Sequence, residues 1–202
     1  PSPMLVTPLP TFAYPDSTPD MSPLPSSGDL PDAPSFTVAA HDSSAASKAR
    51  ADYVCDGIRD EEEINAALYA LPWNGRVVLT EGRFNCCGVI SPKSGSVLCG
   101  QGEEKTALEF THNGRIQVGS EYVVREDLAV SGTGYRGSER WLGVNNIPAG
   151  HVVVRHVIGT CDSTINAVFN VLSDDSGGYN TIIEDIEFTN CRAVDCGGFG
   201  FI

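Results

Sequence analysis

The sequence predicts an all-β protein whose short parallel strands stack into a solenoid, preceded by a helical cap and an extended proline-rich arm. Three observations support this prediction. Ten of the thirteen prolines fall within the first 34 of the 202 residues. A single strong amphipathic helical pattern follows, and beyond residue 76 short β-branched runs alternate with Gly, Ser, Asn and Asp. Three of those runs align without gaps as a 29-residue repeat.

Residues 1–34 form the predicted arm, which contains four Asp and neither Lys nor Arg. Proline fixes φ and removes the amide donor, so we expect an extended segment close to polyproline II. Apolar residues recur along it, which suggests either a plain linker or an arm that docks onto a partner or a neighbouring subunit. The anchors predicted for docking are Leu5, Leu9, Phe12, Tyr14 and Leu24.

Residues 35–75 form the predicted cap with short helices. Residues 36–40 indicate a strand, and either Asp42 or Ser43 is the expected N-cap of an alanine-rich helix. A second helix is predicted over residues 60–71, with Asp60 as its N-cap and three glutamates in its first turn. Its apolar stripe consists of Ile64, Ala67, Leu68 and Leu71.

Residues 76–202 contain the repeat, in which Leu128, Val157 and Ile186 occupy equivalent positions. A 29-residue period without a helix suits one solenoid coil, because about 95 Å of extended chain encircles a small apolar core. The chain ends within an apolar pattern, so we expect it to be a piece of a longer protein with an incomplete solenoid.

Six short elements of the sequence carry a family resemblance: Asp56-Gly57, Ile64 to Leu68, Asn74-Gly75, Val77 to Leu79, Gly82 to Phe84, and the G-x-G at residues 100–102. Through them the cap and the first strands resemble the N-terminal capping segment of the pectate-lyase-like right-handed parallel β-helix superfamily. The resemblance extends from about residue 52 to the end of the chain. It implies a right-handed single-stranded parallel β-helix whose open end is covered by the second helix. It leaves the function open, because the superfamily includes lyases, hydrolases, epimerases, phage tailspikes and surface proteins.

The 29-residue register predicts a column of ionisable side chains on one face of the solenoid. One interpretation is a carboxylate–histidine–carboxylate site for acid–base chemistry on a sugar. The alternative is a solvated ladder of surface charges with little energetic weight. The column contains Asp127, His156 and Asp185, and the adjacent column contains Glu126, Arg155 and Glu184.

Cofactor binding has little support in the sequence. No set of residues matches the calcium-binding motifs of pectate lyases, so we expect no cofactor, and calcium remains an unsupported alternative. The seven cysteines include no C-x-x-C pair, which argues against a zinc site. We expect free, buried cysteines, with a Cys86–Cys99 or Cys191–Cys196 disulfide as the alternative.

Residues 131–152 form a predicted excursion between two repeats and the most promising ligand-facing surface. Its aromatic, Arg and Asn side chains suit stacking on sugar rings and hydrogen bonding to hydroxyls, since loops often carry function. The alternative is a loop that packs its aromatics on the solenoid. The candidate glycan contacts are Tyr135, Arg136, Arg140, Trp141 and Asn145.

Composition narrows the possible partners. Thirteen Lys and Arg against 26 Asp and Glu give a net charge of −13, which argues against nucleic acid and anionic membrane surfaces. No apolar run is long enough to span a bilayer. The family resemblance, the apolar residues of the arm and the absence of a catalytic motif lead us to expect a structural or adhesive component of an extracellular or virion assembly, tail-fibre-like or tailspike-like, with a polysaccharide as a further partner. The resemblance also implies a homotrimer. The alternatives are a polysaccharide lyase or glycoside hydrolase, and a prokaryotic cell-surface or sheath protein.

Overall fold

The structure is a computed structural model in which part of the chain is described. Almost all of the predicted arm lies outside this part. The described residues are 33–111, 114–118, 124–133, 142–145, 149–161, 167–172, 183–195 and 199–201.

The described residues form fifteen strands and two helices, and both helices precede the third strand. Neither helix has the length and apolar character needed to cross a membrane. The elements are β1 (Ser35–Ala39), α1 (Ala45–Arg50), β2 (Tyr53–Val54), α2 (Glu61–Ala70), β3 (Arg76–Leu79), β4 (Gly82–Cys86), β5 (Val89–Ile90), β6 (Val97–Cys99), β7 (Thr106–Thr111), β8 (Arg115–Val118), β9 (Val124–Thr133), β10 (Leu142–Asn145), β11 (Ala149–Cys161), β12 (Ala167–Leu172), β13 (Ile183–Thr189), β14 (Arg192–Ala193) and β15 (Phe199–Phe201).

The strands pair in parallel and form two sheets. The ten-stranded sheet runs β13-β11-β9-β6-β3-β1-β2, with β14 beside β11 and with β4 and β7 attached through β9. The five-stranded sheet runs β15-β12-β10-β8-β5. Parallel neighbours require a long crossover between them, which is why strands adjacent in a sheet are distant in sequence.

The predicted right-handed single-stranded parallel β-helix is wrong. The described strands form two open sheets, and neither sheet closes or curls into coils. The sequence repeat reports that successive segments pair in parallel, but it contains no information on the path of the chain between them. The repeat is also uneven: Val153 pairs with Val124, as the 29-residue period requires, whereas Ile186 pairs with Val152 and not with Val157.

The core forms where inward-facing residues of neighbouring strands share a register. Phe84 of β4 pairs with Leu108 of β7, which pairs with Val130 of β9, and all three are buried. Alternating burial along β7 follows the two-residue period of a strand. Helix α2 packs against this core through the predicted stripe, which is buried at Ile64, Ala67, Leu68 and Leu71.

Helix α1 begins differently from the prediction, whereas α2 begins after Asp60 as predicted. The N-cap of α1 is Ser44, whose hydroxyl accepts a hydrogen bond from the Ser47 amide at 3.1 Å. Ser43 is instead buried and donates to the Glu81 carbonyl, and Asp42 accepts from the Arg83 amide. Asp60 precedes α2 as predicted, but its side chain makes no capping hydrogen bond.

The cysteines follow the free-thiol prediction among the described residues. Cys55, Cys86 and Cys99 are buried and free, so the alternative Cys86–Cys99 disulfide is wrong. Cys191 is also free and partly buried. The disulfide partner suggested for Cys191, Cys196, lies outside the described residues.

Candidate functional site

The chain bends at the same level within β9, within β11 and directly after β13, each time at a residue with left-handed backbone. These residues are Asp127 (φ 57°), His156 (φ 49°) and Asn190 (φ 52°). Residues other than glycine rarely adopt a positive φ, and among them Asp, Asn and His tolerate it best. The bend therefore explains why polar residue types recur here between apolar neighbours.

The three side chains form a hydrogen-bonded ladder, hereafter the Asp–His–Asn ladder. His156 Nδ1 lies 3.2 Å from Asp127 Oδ1, and His156 Nε2 lies 3.2 Å from Asn190 Nδ2. The Asn190 amide nitrogen faces Nε2, and Nδ1 faces the Asp127 carboxylate. Both nitrogens of the imidazole are therefore engaged within the ladder.

Asp185 does not belong to this ladder. Its neighbours Glu184 and Ile186 pair with Gly150 and Val152, which places Asp185 before the bend. The longer offset between β11 and β13 brings Asn190 to the position predicted for Asp185. Likewise Arg155 pairs with Glu126 as predicted, but its other neighbour is Thr189 and not Glu184.

A glycine allows the backbone beneath the ladder to approach closely. The amide of Gly100 donates to the Glu126 carbonyl at 3.0 Å, and that of Gly102 donates to the Asp127 carbonyl at 2.9 Å. A Cβ atom on Gly100 would lie 2.4 Å from the Asp127 carbonyl oxygen. The G-x-G at residues 100–102 therefore supports the bend at Asp127.

The ladder lines one side of an open surface groove of about 650 Å³. The lining also includes Arg192 and Glu103, whose ion pair ties the loop after β6 to β14. Asp127, His156 and Arg192 keep 42%, 53% and 60% of their side chains exposed. The groove lining consists of Gly102, Glu103, Asp127, His156, Asn190, Cys191 and Arg192.

Cys191 is not equipped as a nucleophile. Burial raises the pKa of its thiol, which outweighs the opposing backbone hydrogen bonds near Val157 and Thr189. Its sulfur lies 3.4 Å from the Val154 carbonyl and 3.5 Å from that of Thr189. A thiol that remains protonated at neutral pH reacts poorly, because the thiolate is the reactive form.

The groove is better arranged for binding than for proton transfer. While Asn190 donates to Nε2, the imidazole offers a substrate no free lone pair, which a general base requires. The second carboxylate predicted for acid–base work, Asp185, stands elsewhere in the register. Carboxylate, amide and guanidinium groups remain available at the surface as hydrogen-bond acceptors and donors.

Most of the predicted glycan contacts cannot be assigned to this groove. Tyr135, Arg136, Arg140 and Trp141 lie outside the described residues. Asn145 ends β10 in the five-stranded sheet, where its backbone pairs with Leu172 of β12. The docking anchors of the arm, from Leu5 to Leu24, also lie outside the described residues.

A second group of polar side chains lies under the start of α2. Ligand atoms of Cys55, Asp60 and Glu63 lie within 4.8 Å of one another. Both carboxylate oxygens of Asp60 already accept backbone hydrogen bonds, from Gly57 and Asn85. Burial, reinforced by the charge of Asp60, raises the pKa of the Cys55 thiol. This group does not fit calcium, which takes about six to eight oxygen ligands.

Comparisons with protein-family models, with curated proteins and with solved structures found no significant match to this chain. The resemblance to the pectate-lyase-like superfamily therefore stays a prediction from the sequence.

Proposed function

We propose that the protein is a structural, adhesive component of an extracellular or virion assembly and that it binds a polysaccharide in the groove. The observation that carries the proposal is the Asp–His–Asn ladder and the Arg192–Glu103 ion pair, which line the same open groove. Sugar hydroxyls both donate and accept hydrogen bonds, so a row of alternating acceptors and donors suits them.

The charge of the groove favours a neutral polysaccharide. Glu103 and Asp127 bring two carboxylates, whereas Arg192 is a cation already paired with Glu103. The lining therefore has more carboxylates than guanidinium groups, and the chain as a whole carries −13. Uronic acids and sulfated sugars would be repelled, while uncharged hydroxyl-rich chains would not.

Removing groove side chains is expected to weaken glycan binding. In the variant Arg192→Ala, the dissociation constant for a bound neutral oligosaccharide should rise about 10-fold or more, since a hydrogen bond to a charged group contributes about 1.5–3 kcal/mol. In Asn190→Ala the rise should be smaller, about 5-fold, because a neutral hydrogen bond contributes about 1 kcal/mol. A glycan array identifies the oligosaccharide, and titration calorimetry then gives the dissociation constants.

The matched control is Arg83→Ala, which breaks an exposed ion pair with Glu109 at 3.2 Å, remote from the groove lining. Its binding should equal that of the unmodified protein. The proposal would be contradicted if no neutral glycan bound, or if Arg83→Ala and Arg192→Ala weakened binding equally.

An enzyme acting on the same polysaccharide is the second candidate, favoured by one observation. The 3.2 Å contact between Asp127 and His156 is the geometry by which a carboxylate orients a catalytic imidazole. Incubation of the protein with the bound glycan separates the two functions. Shortened products that disappear in Asp127→Asn would identify an enzyme, and an intact glycan would identify a binding protein.

Assembly through the arm is the second part of the proposal. Its recurring apolar side chains suit docking onto neighbouring copies. We expect light scattering to show a trimer for the full chain and a monomer when Leu5, Leu9, Phe12, Tyr14 and Leu24 are all replaced by serine. A monomer in both cases would contradict this part alone, because glycan binding is measured separately.

A further inference from the structure

Two large aromatic side chains project into solvent at the end of α2 and just beyond it. Tyr69 is 88% exposed and Trp73 is 61% exposed. The backbone here is held by the turn at residues 93–95, because Lys93 donates to the carbonyls of Tyr69 and Leu71. A Cβ atom on Gly95 would lie 3.0 Å from two ring carbons of Trp73, so the indole rests on this glycine. Aromatic side chains that are exposed but fixed in position by their neighbours are typical of protein contact sites.

The chain enters the described structure beside these aromatics. Ser35 pairs with Arg76 and Phe36 pairs with Val77 in the parallel register of β1 and β3. The Pro34 carbonyl extends this pairing by accepting a hydrogen bond from the Arg76 amide at 2.9 Å. If the same register continued towards the N-terminus, Asp32 would fall opposite Trp73.

We propose that residues 28–32 of the arm dock across Trp73 and Tyr69 of the same chain. Proline-rich segments bind aromatic surfaces because they are already extended and lose little entropy on binding. Leu30 and Pro31 supply the apolar contact, and the Asp32 carboxylate complements the positive charge of Lys93. This inference does not depend on glycan binding.

The connection within one chain favours this occupant over a second copy. The docking segment ends two residues before Pro34, whose carbonyl is already bound to Arg76, so the linker spans almost no distance. A short tether gives an effective concentration on the order of millimolar, and a weak contact is therefore populated. Docking of residues 28–32 would set the direction in which the more distal anchors of the arm leave the protein.

Quenching of tryptophan fluorescence tests the proposal on the full chain. Trp73 and Trp141 are the two tryptophans, so a Trp141→Phe background reports on Trp73 alone. We expect the acrylamide quenching constant to rise about 2-fold or more when Leu30→Ser and Pro31→Ser are combined. The matched control, Val6→Ser with Pro8→Ser, makes similar chemical changes at the distal end of the arm, avoids the predicted docking anchors and should leave quenching unchanged.

A second variant tests the same proposal in case the first variant misfolds. Tyr69→Ala removes an exposed ring, and it should increase both Trp73 quenching and the rate of proteinase K cleavage within residues 28–32. Equal quenching in all variants, with unchanged circular dichroism, would overturn the proposal. Protection of Trp73 that disappears on dilution would also overturn it, because the occupant would then be the arm of a second copy.

Discussion

Phe84→Ala is expected to lower the free energy of unfolding by about 3–5 kcal/mol. The ring of Phe84 is fully buried, and its strand neighbours in register are fixed by backbone pairing through Leu108 to Val130. Because the parallel ladders fix β4, β7 and β9 side by side, the surrounding structure cannot close the cavity. Urea denaturation followed by circular dichroism measures the loss.

The conservative variant Phe84→Leu serves as the control. It retains most of the buried volume, so its loss should be well below that of the alanine variant. The proposed core would be refuted if Phe84→Ala unfolded within about 0.5 kcal/mol of the unmodified protein, the range usual for surface substitutions.

The local elements could be predicted because their signals are local. The acidic first turn and the apolar stripe from Ile64 to Leu71 predicted α2, which spans Glu61–Ala70. Strand β3 follows from the β-branched pair Val77-Val78, and β4 begins at Gly82, which marks a turn. The two-residue strand β2 was missed, since Tyr53–Val54 pairs with β1 and has no pattern of its own.

The arrangement of the sheets could not be predicted in the same way. Strand pairing depends on contacts between segments distant in sequence, and a repeat fixes neither the crossover path nor the closure of a sheet. The uneven register shows this, because β9 and β11 follow the 29-residue period whereas β11 and β13 are paired at a longer offset. An alignment without gaps could not contain the extra residues between β11 and β13.

Part of the candidate site could be predicted from the sequence. The repeat correctly aligned Asp127 with His156, because both occupy the bend of adjacent strands. Asn190 was missed, although its tolerance of left-handed backbone, shared with Asp and His, was a usable signal. The Arg192–Glu103 pair joins residues 89 positions apart, and no local sequence pattern predicts such a contact.

Asp60 illustrates how one residue type can serve a role other than the one its position predicts. It stands where an N-cap stands, but its carboxylate turns away from α2 to accept hydrogen bonds from the amides of Gly57 and Asn85, each at 2.8 Å. These contacts join the loop after β2 to strand β4. Asn85 completes the link by donating its side-chain amide to the Gly57 carbonyl at 3.1 Å.

Asp60→Ala is therefore expected to lower the free energy of unfolding by about 2–5 kcal/mol, because it leaves two backbone donors without an acceptor in a buried site. Asp60→Asn keeps one acceptor oxygen, so it should lose about half as much. Urea denaturation of both variants tests this ordering. Equal stability of all three proteins would show that the carboxylate does not join the loop to β4.

The pH dependence of these losses provides a further test of the same site. Burial raises the pKa of Asp60, and the nearby Asp56 adds to the shift, while the hydrogen bonds from Asn85 and Gly57 oppose it. The folded protein thus holds this proton more tightly than the unfolded chain, whose pKa is near 3.8. The resulting stabilisation is complete below that value and is lost as pH rises through the folded pKa. The difference in stability between the unmodified protein and Asp60→Ala should accordingly be largest in acid and shrink towards neutral pH. A difference that grew with pH would mean instead that the fold favours the ionised carboxylate.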